Sequence, residues 1–300
     1  CPEALQIQDM LWRMRCSLVE EGRGPLKQHR RLLAYEKWGL SRLLRSTALP
    51  EGADTVFYPG CALVGTRPTQ TLKLFELLRT QIPALGVVLN CCAKPSHDLG
   101  RFEFFEKVFN SQIENLKGRG ITTVITACPS CYQVFDRYAT EMEVKTIYQV
   151  LETAAGLHKV DAEAEMCVHD PCSTRFQTEV HQSVRSIVEQ QGITVGRLKH
   201  QGKRTLCCGE GGSAGFVAPE ITDRWAEQRA EQAAGRQVIT YCAGCVQFLS
   251  GQMDIVHLVD LMVAPEEALS GNAPASKSPF TYLNRLMLKF KLKRNGGDRF

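Results

Sequence analysis

The sequence predicts an α/β protein made of two tandem, pseudo-symmetric α/β repeats with largely parallel sheets. An N-terminal helical segment and a C-terminal basic helix or tail flank the repeats. Two observations lead to this prediction: one pattern of five cysteines occurs twice, and short β-branched segments alternate with helical segments in both halves. Such alternation is typical of βα units around a parallel sheet.

The composition is that of a globular protein, with 44% hydrophobic and 23% charged residues. Because no long apolar run is present, a membrane-spanning helix is not expected. Residues 1–50 and 277–300 are basic, whereas the middle of the chain has 20 basic and 26 acidic residues. Basic ends around an acidic body are unlike a nucleic-acid-binding face, so no nucleic-acid partner is expected.

The N-terminal segment, residues 1–50, is predicted to be helical. Residues 3–20 have apolar side chains at helical spacing. The side chains expected on one side of this amphipathic helix are Leu5, Leu11, Met14 and Leu18.

The first repeat is assigned to residues 51–155. Its β-branched runs predict strands at Thr55–Tyr58, at Gly86–Asn90 and from Val124 onward. Helices are predicted at Thr69–Thr80, Phe102–Lys117 and Tyr132–Thr140. Each strand leads into one group of cysteines, so the metal-binding positions are expected in the loops after strand ends.

The second repeat is assigned to residues 156–263 and is predicted to have the same order of elements. Its strands are predicted at Met166–His169, at Arg204–Leu206 and from Val238 onward. Its helices are predicted at Thr178–Gly192, Thr222–Ala234 and Val246–Gln252. A constant offset of 114 residues relates the two Cys-x-x-Cys turns and the strands before them.

Residues 264–300 are predicted to be a linker followed by a basic amphipathic tail. Ala264–Ser278 is rich in Pro, Ala, Ser and Gly, and Phe280–Arg294 combines apolar and basic residues at helical spacing. Peripheral contact with a membrane or a partner through residues 279–294 is expected of such a segment. Packing of the helix on its own domain is the alternative.

Ten of the thirteen cysteines form two sets with one order: a single cysteine, an adjacent doublet and a Cys-x-x-Cys pair. The first cysteine set is Cys61, Cys91, Cys92, Cys128 and Cys131, and the second cysteine set is Cys172, Cys207, Cys208, Cys242 and Cys245. The intervening lengths are 29, 35 and 2 residues in the first set and 34, 33 and 2 in the second. A repeated order indicates two soft-metal sites that collect thiolates from separate loops.

Several chemistries use thiols in such numbers. Iron–sulfur clusters are normally bound by four cysteines, and so is structural zinc. A thioredoxin-like dithiol would leave the doublets unexplained, and inert buried cysteines have no reason to repeat in order. Ligand count and spacing favour iron–sulfur clusters and leave open that one site holds zinc.

The segments around the cysteines resemble the signatures of the cysteine-rich CCG family over residues 54–262. The matching segments are Tyr58-Pro59-Gly60-Cys61, Cys91-Cys92-Ala93-Lys94-Pro95, His169-Asp170-Pro171-Cys172 and Cys207-Cys208-Gly209-Glu210-Gly211-Gly212. The first doublet departs from the family pattern, because Ala93 stands where Gly is usual, whereas Gly209 keeps it. Altered geometry or a different metal is therefore expected at the first set.

This family includes the cysteine-rich subunit of heterodisulfide reductase and the iron–sulfur subunits of glycolate oxidase and anaerobic glycerol-3-phosphate dehydrogenase. The resemblance implies that all ten cysteines bind iron–sulfur clusters of the [4Fe-4S] or a non-cubane type. It implies a subunit of an oxidoreductase that passes electrons from a flavin or ferredoxin-type donor to a quinone or a disulfide. The implied partners are a flavoprotein, a ferredoxin-type or a membrane cytochrome subunit, in the cytoplasm or at the cytoplasmic face of the membrane.

Two alternatives to this function remain. One is a zinc-stabilised module that binds partners and has no redox activity. The other is a disulfide reductase that acts at the second cluster.

The first two residues give a further expectation. Cys1-Pro2 is similar to the end of the ferredoxin motif C-x2-C-x2-C-x3-C-P. Residues 1–50 are therefore expected to be the end of a truncated ferredoxin domain and its linker, with Cys1 as a metal ligand. The alternative is a lipoprotein, whose mature chain begins with Cys, but thiols used for metals argue against export.

Overall fold

The computed structural model describes residues 7–154, 157, 159–160, 164–271 and 275–295. The strands are β1 (Ser46–Ala48), β2 (Thr55–Tyr58), β3 (Gly86–Leu89), β4 (Thr123–Thr126), β5 (Glu143–Thr146), β6 (Glu165–His169), β7 (Thr194–Gly196), β8 (Val238–Thr240) and β9 (Ile255–His257). The helices are α1 (Ile7–Glu20), α2 (Arg30–Gly39), α3 (Cys61–Thr66), α4 (Pro68–Gln81), α5 (Lys94–Asp98), α6 (Phe102–Lys117), α7 (Pro129–Tyr138), α8 (Ile147–Leu151), α9 (Thr178–Gln190), α10 (Pro219–Ala233), α11 (Ala243–Leu249), α12 (Leu258–Val263), α13 (Pro265–Leu269) and α14 (Phe280–Asn295).

Two sheets with corresponding strand orders form the framework. The first sheet has the order β1-β3-β2-β4-β5 and the second has the order β7-β6-β8-β9. All pairings are parallel except that of β1 with β3, so the first sheet has one additional antiparallel edge strand. The predicted α/β class with largely parallel sheets is confirmed. The predicted boundary at residues 155 and 156 lies outside the described residues.

The central strands are apolar and buried on both faces, as parallel sheets covered by helices require. Every residue of β2, β3 and β8 is buried. Five of the described helices, α4, α5, α7, α10 and α13, have proline in their first turn, where the missing N–H is not needed. The loops that follow the parallel strands lie at the carboxyl edge of each sheet.

The two sheet units share a core. The rings of Tyr148 and Tyr241, from the first and second units, meet at 5.4 Å between centroids. One continuous buried cluster contains Phe57 and Leu74 from the first unit and Val184 and Ile239 from the second. The second unit therefore packs on the first through apolar side chains.

One predicted strand differs from the structure. Arg204 ends a 3-10 turn, Gly202–Arg204, and residues 205 and 206 are in no strand. The strand beside β6 is instead β7. The carbonyl groups of Lys203 and Thr205 accept hydrogen bonds from Arg175, and the Thr205 hydroxyl donates to the Asp170 carbonyl. The Arg175 side chain therefore occupies the Thr205 carbonyl, a backbone group that a sheet would have used.

The N-terminal helix contacts the protein through a different side than the pattern predicts. Leu11 and Met14 are more than half exposed, and Leu18 is half-buried. Leu5 and Cys1 lie outside the described residues. The helix α1 instead contacts the protein through Trp12 and Arg15. The Trp12 indole N–H and the Arg15 guanidinium donate to backbone carbonyls, and those bound by Arg15 belong to both sheet units.

The described part of the C-terminal segment contains two helices, α13 and α14. Within residues 264–278, α13 is helical and Ala268 is buried, because Pro265 begins a helix there. The helix α14 packs on its own protein through Arg285, Leu288 and Leu292, which are buried. Among the described residues, no helix has both the length and the apolar character needed to cross a membrane.

Candidate metal centres

The first cysteine set lies at the carboxyl ends of three neighbouring parallel strands. Cys61 begins α3 just after β2 ends, and the doublet Cys91-Cys92 follows β3. Cys128 follows β4 at the start of α7, and Cys131 lies in the first turn of that helix. The structure therefore brings together all five predicted positions of the first set.

A glycine makes this convergence possible. Gly60 has φ +83°, and a Cβ built there would lie 2.6 Å from the Cβ of Cys128. Any side chain at this position would push the β2 loop away from the β4 loop. The family-like segment that ends in Cys61 thus has a direct steric reason for its glycine.

The thiols of the first set form two hydrogen-bonded groups. The Sγ atoms of Cys131 and Cys92 are 3.4 Å apart, and Cys131 also bonds Cys128. A hydrogen bond with Cys91 lowers the pKa of Cys61 to about 6 and raises the pKa of Cys91. One thiolate of each pair is thus stabilised by its neighbour, and the thiolate is the metal-binding form.

The second cysteine set occupies the corresponding place in the second sheet. Cys172 begins a 3-10 turn after β6, and Cys242 and Cys245 lie at the start of α11 after β8. The Cys172 and Cys207 sulfurs are 4.0 Å apart, and the Cys245 and Cys208 sulfurs are 3.2 Å apart. Hydrogen bonds from Cys172 and Cys208 lower the pKa of Cys207, and Cys245 also bonds Cys242. All five thiols therefore form one connected chain.

The residues after both doublets have positive φ angles. Gly209 has φ +100° and Ala93 has φ +56°, which is in the left-handed region. The peptide N–H of Gly209 donates to the Sγ of Cys207 over 3.4 Å. The departure of Ala93 from the family pattern thus leaves the same kind of turn after the first doublet.

The two sets differ in their access to small molecules. A cavity of about 520 Å³ opens beside the second set, and all five of its cysteines line it. The space beside Cys61 of the first set is about 10 Å³, which has room for one water. The space beside the first set is too small for a substrate, whereas the second set faces a large cavity.

The helix α1 forms one wall of this cavity. The Trp12 indole N–H donates to the His97 carbonyl over 2.8 Å, and the rings of these residues stack. The Arg15 guanidinium donates to the carbonyls of Asp98 and Gly212, each at 2.8 Å. Because Asp98 and Gly212 belong to different units, α1 connects the two doublet loops across the cavity.

The sequence did not identify the charged residues around the sets. Lys94 lines the second-set cavity, where Asp98 raises its pKa against the lowering effect of burial. Burial and the charges of Cys61 and Cys207 raise the pKa of Glu210 to about 7. Lys94 and Glu210 each follow a doublet by two residues. This equivalent position in the two repeats is the sequence feature that could have identified them. Arg285, which lines the first-set space, had no such signal.

The donor chemistry fits sulfur-preferring metals. The potential ligands in both cysteine sets are sulfur atoms that contact one another. Sulfur ligands suit iron–sulfur clusters and zinc better than magnesium or calcium. Within the described ranges, no three His, Cys, Asp or Glu side chains already point at one common centre. The sulfurs contact one another instead, and bound metal would replace those contacts with metal–sulfur bonds.

Three known proteins are similar to this chain in sequence. A subunit of the fumarate reductase (CoM/CoB) of Methanothermobacter marburgensis is 25% identical over 285 residues, which cover 88% of this chain and 57% of that protein. EtfAB:quinone oxidoreductase of Syntrophomonas wolfei is 22% identical over 193 residues, which cover 57% and 26%. A probable membrane-anchored ferredoxin of Chromohalobacter salexigens is 23% identical over 286 residues, which cover 84% and 43%. The chain thus spans between about a quarter and somewhat over half of the length of these relatives.

The family match falls on the two cysteine sets. Residues 55–136 and 166–250 each match the family described as "CCG: Cysteine-rich domain". The first matched range begins with β2 and includes the first set, and the second range begins within β6 and includes the second set. The chain therefore belongs to the CCG cysteine-rich domain family and contains two copies of that domain.

Proposed function

We propose that this protein is an iron–sulfur electron-transfer subunit of a multi-subunit oxidoreductase, with one cluster bound by each cysteine set. The observation that carries the proposal is the convergence of ten thiols at the carboxyl ends of parallel strands. The names of the relatives, a fumarate reductase subunit, a quinone oxidoreductase and a ferredoxin, support a redox role. Bound iron–sulfur clusters supply one-electron transfer.

The expected partners follow from this role. A flavoprotein or a ferredoxin-type protein supplies electrons, and a quinone or a disulfide accepts them, with a membrane cytochrome as a further candidate subunit. Cys1 is proposed as a ligand only together with residues of a ferredoxin domain. The chain's own ten cysteines would hold the clusters.

Metal analysis tests the proposal directly. Protein purified without oxygen should contain iron and a comparable amount of acid-labile sulfide. Cys92→Ser and Cys208→Ser, at matched positions of the two sets, should each remove about half of the iron. Colourless protein that contains zinc and no sulfide would instead support the zinc-stabilised partner-binding module.

A second candidate function is disulfide reduction at the second set. The observation that favours it is the cavity of about 520 Å³, because a small disulfide needs access to the cluster that reduces it. The substrate disulfide takes up two electrons from the clusters and two protons from solvent. Its S–S bond breaks and two thiols form.

The disulfide reaction is tested by adding oxidised glutathione, a small anionic disulfide, to the reduced holoprotein without oxygen. A change in the electron paramagnetic resonance (EPR) signal of the second cluster is expected. That change should be lost in Cys208→Ser and kept in Cys92→Ser. A response that survives Cys208→Ser would exclude the second set as the place of reduction.

We also propose that the outer face of α14 makes a peripheral contact with an anionic membrane. Four large apolar side chains on this face are exposed: Phe280, Leu283, Met287 and Phe290. The sequence of α14 contains basic residues and no acidic residue, which suits a negatively charged lipid surface. The relative described as a membrane-anchored ferredoxin is compatible with this location.

A further inference from the structure

A buried cation from the C-terminal helix lies beside the first cysteine set. Arg285 is 2% exposed, although its guanidinium carries a full charge. Its Nη2 donates only a long hydrogen bond, 3.4 Å, to the Gly39 carbonyl. Its Nη1 has no hydrogen-bond partner, and within the described part of the chain it forms no ion pair with a carboxylate. A buried charge in this state requires compensation from another group.

The compensating charge is at the first cysteine set. A Cβ built on Gly39 would lie 3.0 Å from Nη2 of Arg285 and 3.1 Å from the Cβ of Cys91. The guanidinium and the Cys91 side chain therefore both lie within 3.1 Å of this point. Burial lowers the pKa of Arg285, but the neighbouring Cys61, whose own pKa is lowered to about 6, opposes that effect, and the pKa of Arg285 is raised overall.

The helix α14 is held in register with this set. The Asn284 side chain donates to the Gly65 carbonyl of α3 over 2.8 Å, and Cys61 is the first residue of α3. The Tyr35 hydroxyl donates to the Cys61 carbonyl over 3.0 Å, and the Arg285 guanidinium lies over the Tyr35 ring. Arg285 is thus fixed relative to Cys61 by contacts on both sides.

The buried arginine near the second set, Arg229, has better hydrogen-bond partners than Arg285. Arg229 lies near Cys245 and Cys208, but its Nη1 donates to the His200 carbonyl over 2.7 Å. Asp170 also lies close enough to offset its charge. Of these two buried arginines, the one beside the first set therefore depends more on the charge of the cysteines.

We propose that Arg285 is a positioning residue that raises the reduction potential of the cluster at the first set. Its charge and its free N–H groups act on that cluster through Cys61 and Cys91. A cluster becomes more negative when it gains an electron, so an adjacent fixed cation stabilises the reduced form. This inference rests on the proposed function, because it requires a cluster at the first set.

The test is a redox titration of the holoprotein followed by EPR. Cys91→Ser identifies the signal that belongs to the first set. In Arg285→Gln, that signal should shift to lower potential. We expect the ratio of reduced to oxidised cluster at a fixed potential to fall about tenfold, which is about 59 mV for one electron. The second signal should keep its potential.

Two controls isolate the charge. Arg285→Lys keeps the cation and should restore most of the wild-type potential. Lys277→Gln removes one exposed positive charge shortly before α14 and should leave both potentials unchanged. An unchanged first-set potential in folded Arg285→Gln overturns the inference while leaving the proposed function intact. If Cys91→Ser removes no signal, the proposed function fails at the first set.

A measurement on the wild type keeps the inference testable if Arg285→Gln does not fold. Protein labelled with ¹⁵N-arginine should show a ¹⁵N coupling on the reduced first cluster in pulsed EPR. The coupling should disappear in Arg285→Lys. Absence of any such coupling in the wild type overturns the placement of the guanidinium beside the cluster.

Discussion

Gly209 and Ala93 follow the two doublets with different degrees of backbone strain. A φ of +56° is accessible to alanine at a cost of about 1–2 kcal/mol. A φ of +100° is accessible essentially to glycine alone, and a Cβ at Gly209 would lie 2.5 Å from the Cβ of Thr222. Alanine is therefore tolerated after the first doublet for a conformational reason that does not apply after the second.

Substitution of Gly209 and substitution of Ala93 should have unequal effects on the iron content. Gly209→Ala should lower the iron content by up to half, because the loop that presents Cys207 and Cys208 must move. Ala93→Gly keeps the turn and should leave the iron content unchanged. Iron per protein after anaerobic purification measures both. Equal iron loss in the two variants would contradict this explanation.

The two cysteine sets follow from a local pattern in the sequence, whereas the residues around them do not. Spacing alone identified ten positions, and the structure brings each set together. Arg285 is 154 residues from Cys131, the last residue of the set that it approaches, and no local pattern relates the two. Contacts of that kind depend on how α14 packs, which periodicity does not encode.

The helix α14 is apolar on two faces. Leu288 and Leu292 are buried on the inner face, and the four outer apolar residues are 50% to 62% exposed. The outer residues recur at spacings of three and four, so they form a continuous stripe along the helix. The inner face stabilises the fold, whereas the outer stripe is free to contact another surface.

Removal of the outer stripe should abolish membrane contact without unfolding the protein. The holoprotein should co-sediment with vesicles that contain phosphatidylserine, and the combined Leu283→Ser, Met287→Ser and Phe290→Ser variant should remain in solution. Phe176→Ser removes an exposed apolar side chain elsewhere and should bind as the wild type does. Failure of the wild type to bind these vesicles would overturn the proposed membrane contact.

Helices were easier to predict than the loops between them. The helix predicted at Phe102–Lys117 has the same bounds in the structure, because its apolar residues follow helical periodicity throughout. The strand predicted at residues 204–206 is absent, since the Thr205 carbonyl accepts a hydrogen bond from Arg175 and the Thr205 hydroxyl donates to the Asp170 carbonyl. These partners lie about 30 residues away, beyond the range of local propensity.

A buried ion pair joins the two sheet units. Arg67 precedes α4 and Asp260 lies in α12, and the Nε and Oδ2 atoms are 2.7 Å apart. Both side chains are at most 3% exposed. Burial raises the pKa of Asp260, and Arg67 opposes that shift. The pair therefore links the units where solvent cannot replace a lost partner.

Loss of one partner should destabilise the whole protein. Asp260→Ala leaves the Arg67 charge buried and should lower the free energy of unfolding by about 3–5 kcal/mol. Glu165→Ala removes the partner of Arg236 in an exposed pair and should cost less than about 1 kcal/mol. Urea unfolding of the holoprotein, followed by tryptophan fluorescence, measures both. A similar cost for the two variants would contradict the role of the buried pair.

The same shared core predicts cooperative unfolding. Since one buried cluster includes side chains of both units, the units should lose structure in a single transition. Circular dichroism and the absorbance of the bound clusters should report the same midpoint. Two separated transitions would show that the units are stable independently.

The metal ligands and the charge that adjusts the reduction potential come from different parts of the sequence. The ten cysteines lie in the two repeats, whereas the charge that adjusts the first cluster comes from a helix after both. Two homologues with identical cysteine motifs can therefore differ in driving force through this helix alone. A truncation or fusion that disturbs α14 changes the energetics of electron transfer while every metal ligand stays in place.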